Sequence, residues 1–315
     1  MLAVGGENLI DLVQIDTSEG LPLFKAIPGG SPFNVAMAAG RQGLGVRYLT
    51  PISTDASGEL LARRLTESAV EIAAPRNEAP SSLAMVTLTD GIPNYSFYRE
   101  NTAERHITSD LLNRLLDQDI KILHLGSLAL AGGDDSQLWE ETALAARARG
   151  MLFSLDPNVR AALIKDIPAY KQRIERLMAR ADIVKLSDED LFWLCGSEDE
   201  TQALSWLEDR TEASVLILTR GGDGCQVYHQ NVWHHQPAAE VEGFRDTVGA
   251  GDTFMASMIV WLSDHDFIDR LDALTDKDKA AMASYAAQAA ALNCAHHGCH
   301  PPRRNHDRSG WSDAD

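Results

Sequence analysis

The chain has 315 residues, 44% of them hydrophobic, enough to bury a large core as one large domain or two. Its formal net charge is −18 and its pI about 4.9, with no Lys/Arg-rich run before the short PPRR at 301–304. Nucleic acid and anionic membranes are thereby disfavoured as partners, since both need a basic face, and any phosphate must be bound locally by backbone amides and a few cations.

The opening MLAVGGENLIDLV has no basic stretch and no long apolar segment, so neither a signal peptide nor a membrane span is predicted. Cys195, Cys225, Cys294 and Cys299 lack CxxC spacing and suit reduced thiols in a cytoplasmic protein. MLAVGG reads as a buried strand ending in glycine. In PFNVAMAAGRQG, Phe33, Ala36, Met37 and Gly40 share one helical face, and Gly43 is the stop. VRYLTPIS reads as a strand and GELLARRLTESAV as a helix. Further on, IKILHLGS, MLFSLDPN, DIVKLS and SVLILTRGGDG read as strands, with LWEETALAARARG and YKQRIERLMARA as helices between them. From Thr253 the chain reads as mostly helical. The alternation predicts βαβ units, a mostly parallel sheet and helices on both faces.

Two segments break this rhythm. LVQIDTSEGLPLFKAIP (12–28) and SLAMVTLTDGIPNYSFYRE (82–100) read as strands and hairpins, the second with a DG turn. They are expected to form a small antiparallel flap standing off the main body. HHGCH (296–300) matches no zinc-ligand spacing and reads as a polar loop before a frayed tail.

In DTVGAGDTF (246–254), Gly249, Ala250 and Gly251 lead directly into Asp252 and then into an apolar run. A small-residue turn feeding a helix N-terminus attracts anions through its unpaired N–H groups and the helix dipole. A carboxylate at that place therefore needs a reason. No lysine follows Gly251, so the turn is not a P-loop, and VGGENLID lacks the glycines of a dinucleotide-binding dehydrogenase. Phosphoryl transfer accounts for both features. The amides stabilise charge on the moving phosphoryl group, and the carboxylate takes the proton of the attacking hydroxyl. On spacing alone, an aspartate that merely caps the helix is an equal alternative.

DTVGAGDTF resembles the C-terminal signature of the ribokinase-like, pfkB-type carbohydrate kinases, and GGSPFNVAMAAGRQG (29–43) resembles their N-terminal signature. The two stand in the family's order, and the resemblance runs from Val4 to about Pro301. It implies an α/β, three-layer αβα fold with a mostly parallel sheet and a small β-strand lid. It places one kinase domain over 1–300, the lid at roughly 12–28 and 82–103, and a flexible tail over 301–315. ATP and Mg²⁺ are implied as cofactors, with K⁺ as an activating cation, a small sugar as substrate, and a lid able to pair two copies in a homodimer. Residue by residue, Asp252 matches the catalytic base, and Gly249, Ala250 and Gly251 match the anion hole. Asp11 matches the acid that binds sugar hydroxyls, and Gly29, Gly30 and Asn34 match the sugar-side turn and helix start. LTRGGDG brings Thr219, Gly221 and Gly224 to the nucleotide. Ser187 and Asp190 stand where the family carries Asn-x-x-Glu, with Asp190 tied to Mg²⁺ through water by a shorter side chain. Asp246 matches a monovalent-cation acid, and Asn293 lies in the stretch that lines the adenine pocket.

NYSFYRENTAER (94–105) and DPNVR (156–160) resemble fructokinases and 2-keto-3-deoxygluconate kinases more than ribokinases. The resemblance puts Phe97, Arg99 and Arg160 at the sugar. Phe97 occupies the position where the keto-acid kinases carry a tyrosine, which favours phosphorylation of a primary hydroxyl of fructose. A 2-keto-3-deoxygluconate kinase is the alternative within the family. Outside it stands a non-catalytic sugar or nucleotide sensor, against which the intact Asp252 and unbroken GAGD turn speak.

Overall fold

The computed structural model describes residues 1–18, 21–89, 92–230, 232–305 and 310–312. The chain begins with β1 (Leu2–Val4), β2 (Leu9–Ser18), β3 (Leu21–Gly29) and α1 (Ser31–Arg41). Next come β4 (Val46–Tyr48), α2 (Ala56–Glu67), β5 (Val70–Ile72), β6 (Ser82–Thr89) and β7 (Ile92–Tyr98). The middle holds α3 (Ser109–Leu115), β8 (Ile122–Gly126), α4 (Asp134–Ala148), β9 (Leu152–Asp156) and α5 (Ile167–Met178). It continues with β10 (Ile183–Ser187), α6 (Asp188–Cys195), α7 (Glu200–Glu208) and β11 (Val215–Thr219). Last are β12 (Cys225–His229), β13 (Val232–Gln236), α8 (Ala250–Asp264), α9 (Asp276–Cys294), β14 (Arg303–Arg304) and β15 (Trp311–Ser312).

Nine strands form the main sheet in the order β13-β12-β11-β10-β9-β8-β1-β4-β5. Its pairs are parallel from β11 to β5, and β12 and β13 complete one edge antiparallel. Successive strand residues face opposite sides, and the apolar content divides accordingly. On one side Ile122, Ile183, Val215 and Ile217 pack with Phe33 of α1, Leu61 of α2, Met258 of α8 and Met282 of α9. On the other, Leu123, Val184, Leu216 and Leu218 pack with Trp139 of α4, Ile174 of α5, Leu191 of α6 and Leu207 of α7. Strands apolar on both faces are what a helix-covered parallel sheet requires, and the three-layer αβα expectation holds.

Two helices, α1 and α8, carry the small-residue turns of the sequence into the interior. Every residue of α1 is buried, its polar Ser31, Asn34 and Arg41 being hydrogen-bonded, and so is every residue of α8 from Asp252 to Leu262. They pack against each other, which brings their first turns together.

The lid is a separate four-stranded sheet in the order β3-β2-β6-β7. Its strands fall on the two segments expected to stand off, but it is not wholly antiparallel. Each hairpin is antiparallel, whereas β2 and β6 run parallel from Leu9↔Ser82 to Val13↔Val86. Both hairpins leave the main sheet in the same direction, so their adjoining first strands must run alike. The expected turn at Asp90–Gly91 lies outside the described residues.

Two other expectations are corrected. GELLARRLTESAV is not one helix, because α2 ends at Glu67, Ala69 adopts a left-handed φ of 57°, and Val70 begins the edge strand β5. The stretch after Pro301 is not frayed where it is described. Arg41 Nη1 donates to Pro301 O at 2.9 Å, β14 pairs with β15, and the Trp311 ring lies 4.9 Å from Tyr285 of α9. An aromatic ring and two arginines able to reach α2, α8 and α9 anchor it.

Candidate active site

Asp252 lies in the first turn of α8 and is 7% exposed. The turn before it is built for close packing. Gly249 caps the helix at φ 76°, and a Cβ there would collide with the Cys299 side chain, so only glycine fits. The Asp252 carboxylate receives two donors from the first turn of α1. Ser31 Oγ donates to Oδ1 at 2.7 Å, and Asn34 Nδ2 donates to Oδ2 at 2.8 Å. Burial pushes its pKa up, these two hydrogen bonds pull it down, nearby Asp156 raises it and Lys185 lowers it. The result is a buried acid kept ionisable beside a helix N-terminus.

The start of α1 is fixed from below. Gly30, at φ 113°, closes against Glu7 O, where a side chain would clash. Ser31 N donates to Glu7 Oε1 at 3.0 Å and Ala129 N to Glu7 Oε2 at 3.3 Å. Glu7 is 1% exposed, and burial raises its pKa against the pull of Arg99. Asp11 of β2 lies against Gly29, where a Cβ would meet its carboxylate. Burial lifts the Asp11 pKa to about 6, with Arg160 opposing. Asp11, Gly29, Gly30 and Asn34 thus gather on the lid side of Asp252.

Arg99 and Arg160 differ sharply. Arg99 makes a two-point ion pair with buried Glu104, at 2.8 and 3.2 Å, and donates to Leu128 O at 3.2 Å. Ser82 Oγ adds a donor to the same Glu104. Arg160 is exposed, and among the described residues its guanidinium donates to the carbonyls of Asn158 and Val159 beside it. Phe97 of β7 packs against the small apolar cluster of Leu9, Ala84 and Leu128 under the lid.

The other flank runs along the C-terminal ends of the parallel strands, where ligands of open α/β sheets bind. Ser187 caps α6 by accepting from Asp190 N at 3.0 Å. Asp190 Oδ1 accepts from Val159 N at 3.0 Å, and burial followed by the neighbouring Asp156 raises its pKa to about 6. Thr219 ends β11, and Gly221 and Gly224, with φ of 51° and 88°, bracket the short turn after it. Asp246 accepts from Val248 N and Gly298 N, both at 2.9 Å. Asn293 is fully buried, donating to Val248 O at 2.7 Å and accepting from His300 N at 2.8 Å. One bond goes to the residue before the GAGD turn and the other to the C-terminal loop, so the side chain fastens the two together.

Four neighbours of this constellation are not assigned by the sequence reading: Ser31, Glu7, Glu104 and Lys185. Ser31 sits within the GGSPFN signature, and Lys185 is a charge inside the otherwise apolar strand IVKLS. Those are the signals by which they could have been found.

The family model described as pfkB family carbohydrate kinase matches residues 1–305. The chain is 38% identical over 268 residues to a fructokinase of Rhizobium leguminosarum bv. trifolii, covering 83% of this chain and 79% of that one. It is 33% identical over 263 residues to fructokinase-1 of Zea mays, covering 81% and 80%. Among solved structures, the fructokinase of Xylella fastidiosa with bound ATP superposes with a TM-score of 0.84 at 25% identity, covering 95% of this chain and 93% of that one.

Proposed function

Because the chain belongs to the pfkB family of carbohydrate kinases, and is an ATP-dependent phosphotransferase acting on a sugar hydroxyl, we propose that its substrate is fructose and its base Asp252. Family membership replaces the sensor alternative. The observation that carries the assignment is the Asp252 carboxylate, buried at the α8 N-terminus and held by Ser31 and Asn34.

Asp11 accepts hydrogen bonds from sugar hydroxyls at the mouth of the site. Asp252 then takes the proton of the primary hydroxyl, whose oxygen attacks the γ-phosphorus, and N–H groups of the Gly249–Gly251 turn other than that of Ala250, which bonds Thr247 O at 3.1 Å, receive the charge of the transferring group. Burial aids the base, because a raised pKa strengthens it as a proton acceptor, while the two donors favour its ionised form. Mg²⁺ arriving with the nucleotide would neutralise phosphate charge. Asp190 fits that role, as a buried carboxylate at the strand ends whose Oδ1 is oriented by Val159 N. Ser187, Thr219, Gly221 and Gly224 flank the strand ends where ATP would lie. Asp246 Oδ1 accepts from Val248 N, while Oδ2 accepts from Gly298 N and has the His297 ring 3.5 Å away; the second lone pair of Oδ1 fits K⁺ shared with backbone carbonyls.

Fructose is favoured over a sugar acid by charge. Arg99 is neutralised by Glu104, and Glu7 and Asp11 add two more acids on the sugar side. A substrate carboxylate would enter against them. The sugar acid has one observation in its favour, the exposed guanidinium of Arg160 near Asp11. The exposed apolar side chains Ile15, Leu21, Leu23 and Tyr98 on the lid support the homodimer expectation. ADP release measured over fructose, 2-keto-3-deoxygluconate, glucose and ribose decides the substrate. The highest kcat/KM is expected for fructose, and a higher value for the sugar acid would overturn the choice.

A further inference from the structure

One buried ammonium stands among the acids of the site. Lys185 of β10 is 4% exposed, and its Nζ lies 2.7 Å from Asp156 Oδ2 at the end of β9. A lysine carries three N–H donors, and among the described residues Asp156 is the acceptor it reaches. Asp156 is fully buried, and its Oδ1 has no partner among the described residues. The pair is therefore not closed into a satisfied network, as one kept for stability alone should be. Lys185 Nζ also stands 3.4 Å from where a Cβ on Gly251 would sit, next to the small-residue turn. Burial works against its charge, but Asp156, with Asp190 and Asp252 also near, holds its pKa above the usual lysine value. His124, the other basic group facing Asp156, bonds Ser154 Oγ at 3.0 Å and is pulled by burial to a pKa of about 4, so it stays neutral.

We propose that Lys185 is a further catalytic residue, whose ammonium, held by Asp156, binds the terminal phosphoryl group of ATP at the Gly249–Gly251 turn and follows it onto the sugar. The assignment rests on the kinase reading. In the step, the sugar oxygen forms the new P–O bond and the bond from γ-phosphorus to the β–γ bridging oxygen breaks. ADP leaves with the electron pair, the sugar proton goes to Asp252, and Lys185 keeps its own proton throughout. Its donors supply the charge that a net-acidic cluster otherwise lacks for holding a phosphate.

The test uses the full chain with Mg²⁺. Lys185→Met removes the ammonium but leaves Asp156 alone in the interior, a change that can unfold the protein. The double variant Lys185→Met/Asp156→Asn removes both charges and keeps a foldable comparison. Calorimetric binding of ATP and of ADP, each without sugar, reports on the terminal phosphate independently of turnover. The double variant is expected to lose roughly 10- to 100-fold in ATP affinity while ADP affinity stays within a few-fold, the range of one charged hydrogen bond. Its kcat with fructose is expected to fall about 10²–10³-fold. If it binds ATP and turns over fructose as the parent does, Lys185 only neutralises Asp156 and the proposal is wrong. Should the parent turn over no sugar, the kinase reading falls, while an unchanged ATP-to-ADP affinity ratio in the double variant would still be what overturns Lys185.

Discussion

Ser31→Ala isolates the control exerted on the base. The variant deletes the 2.7 Å donor to Asp252 Oδ1 and leaves the Asn34 donor on Oδ2 in place. A hydrogen bond to a buried charge is worth about 1.5–3 kcal/mol, and one pKa unit corresponds to about 1.36 kcal/mol. Ser31 stabilises the ionised form, so its loss raises the Asp252 pKa, by roughly 1–2 units. The base works ionised. Activity is therefore lost at a higher pH as the solution is acidified, and the acidic limb of kcat/KM against pH moves up by about the same 1–2 units. On the alkaline plateau the variant should fall only a few-fold, because the carboxylate is ionised in both proteins. The measurement is the pH profile of ADP release with fructose for parent and variant. An acidic limb that stays in place while the plateau drops a hundredfold would show that Ser31 acts on the substrate and not on the base.

Asp252→Asn should lower kcat about 10²–10⁴-fold while fructose affinity by calorimetry changes only a few-fold; equal loss of both would remove the base role. Asp11, with a pKa raised to about 6, accepts hydroxyl donors best when ionised, so fructose affinity should weaken as pH falls through about 6, and Asp11→Asn should abolish that dependence in a binding titration. Arg99→Met leaves Glu104 buried without its cation and should cost about 3–5 kcal/mol of stability in denaturant unfolding, with KM for fructose little changed in the protein that remains folded. A large KM effect without destabilisation would make Arg99 a sugar ligand.

Legibility in the sequence tracks the range of the interactions. The βα rhythm and the GAGD turn are local patterns, and both survive in the structure. Hidden were contacts between distant segments. Ser31 and Asp252 are 221 positions apart and meet because α1 and α8 are neighbours, which no spacing reveals. The parallel pairing of β2 with β6 has the same origin. Lys185 was visible as a charge inside an apolar strand, but its relation to Gly251 depends on how β10 and α8 are placed. Arg99 and Glu104 are five residues apart, so their pairing was within reach of the segment RENTAE. The anchoring of Trp311 was not legible, because its partner ring lies on a helix formed by another stretch.

The close fit of Gly249 against Cys299, together with the bonds from Asn293 to Val248 and His300, has a consequence for biosynthesis. A ribosome extruding this chain releases Ser31 and Asn34 well ahead of the Cys299 loop, so the anion turn can meet α1 first but lacks the Cys299 side of its packing until that later loop has emerged. Polypeptides terminated ahead of Asn293 should therefore emerge unable to retain nucleotide, however well their first strands and helices have already condensed.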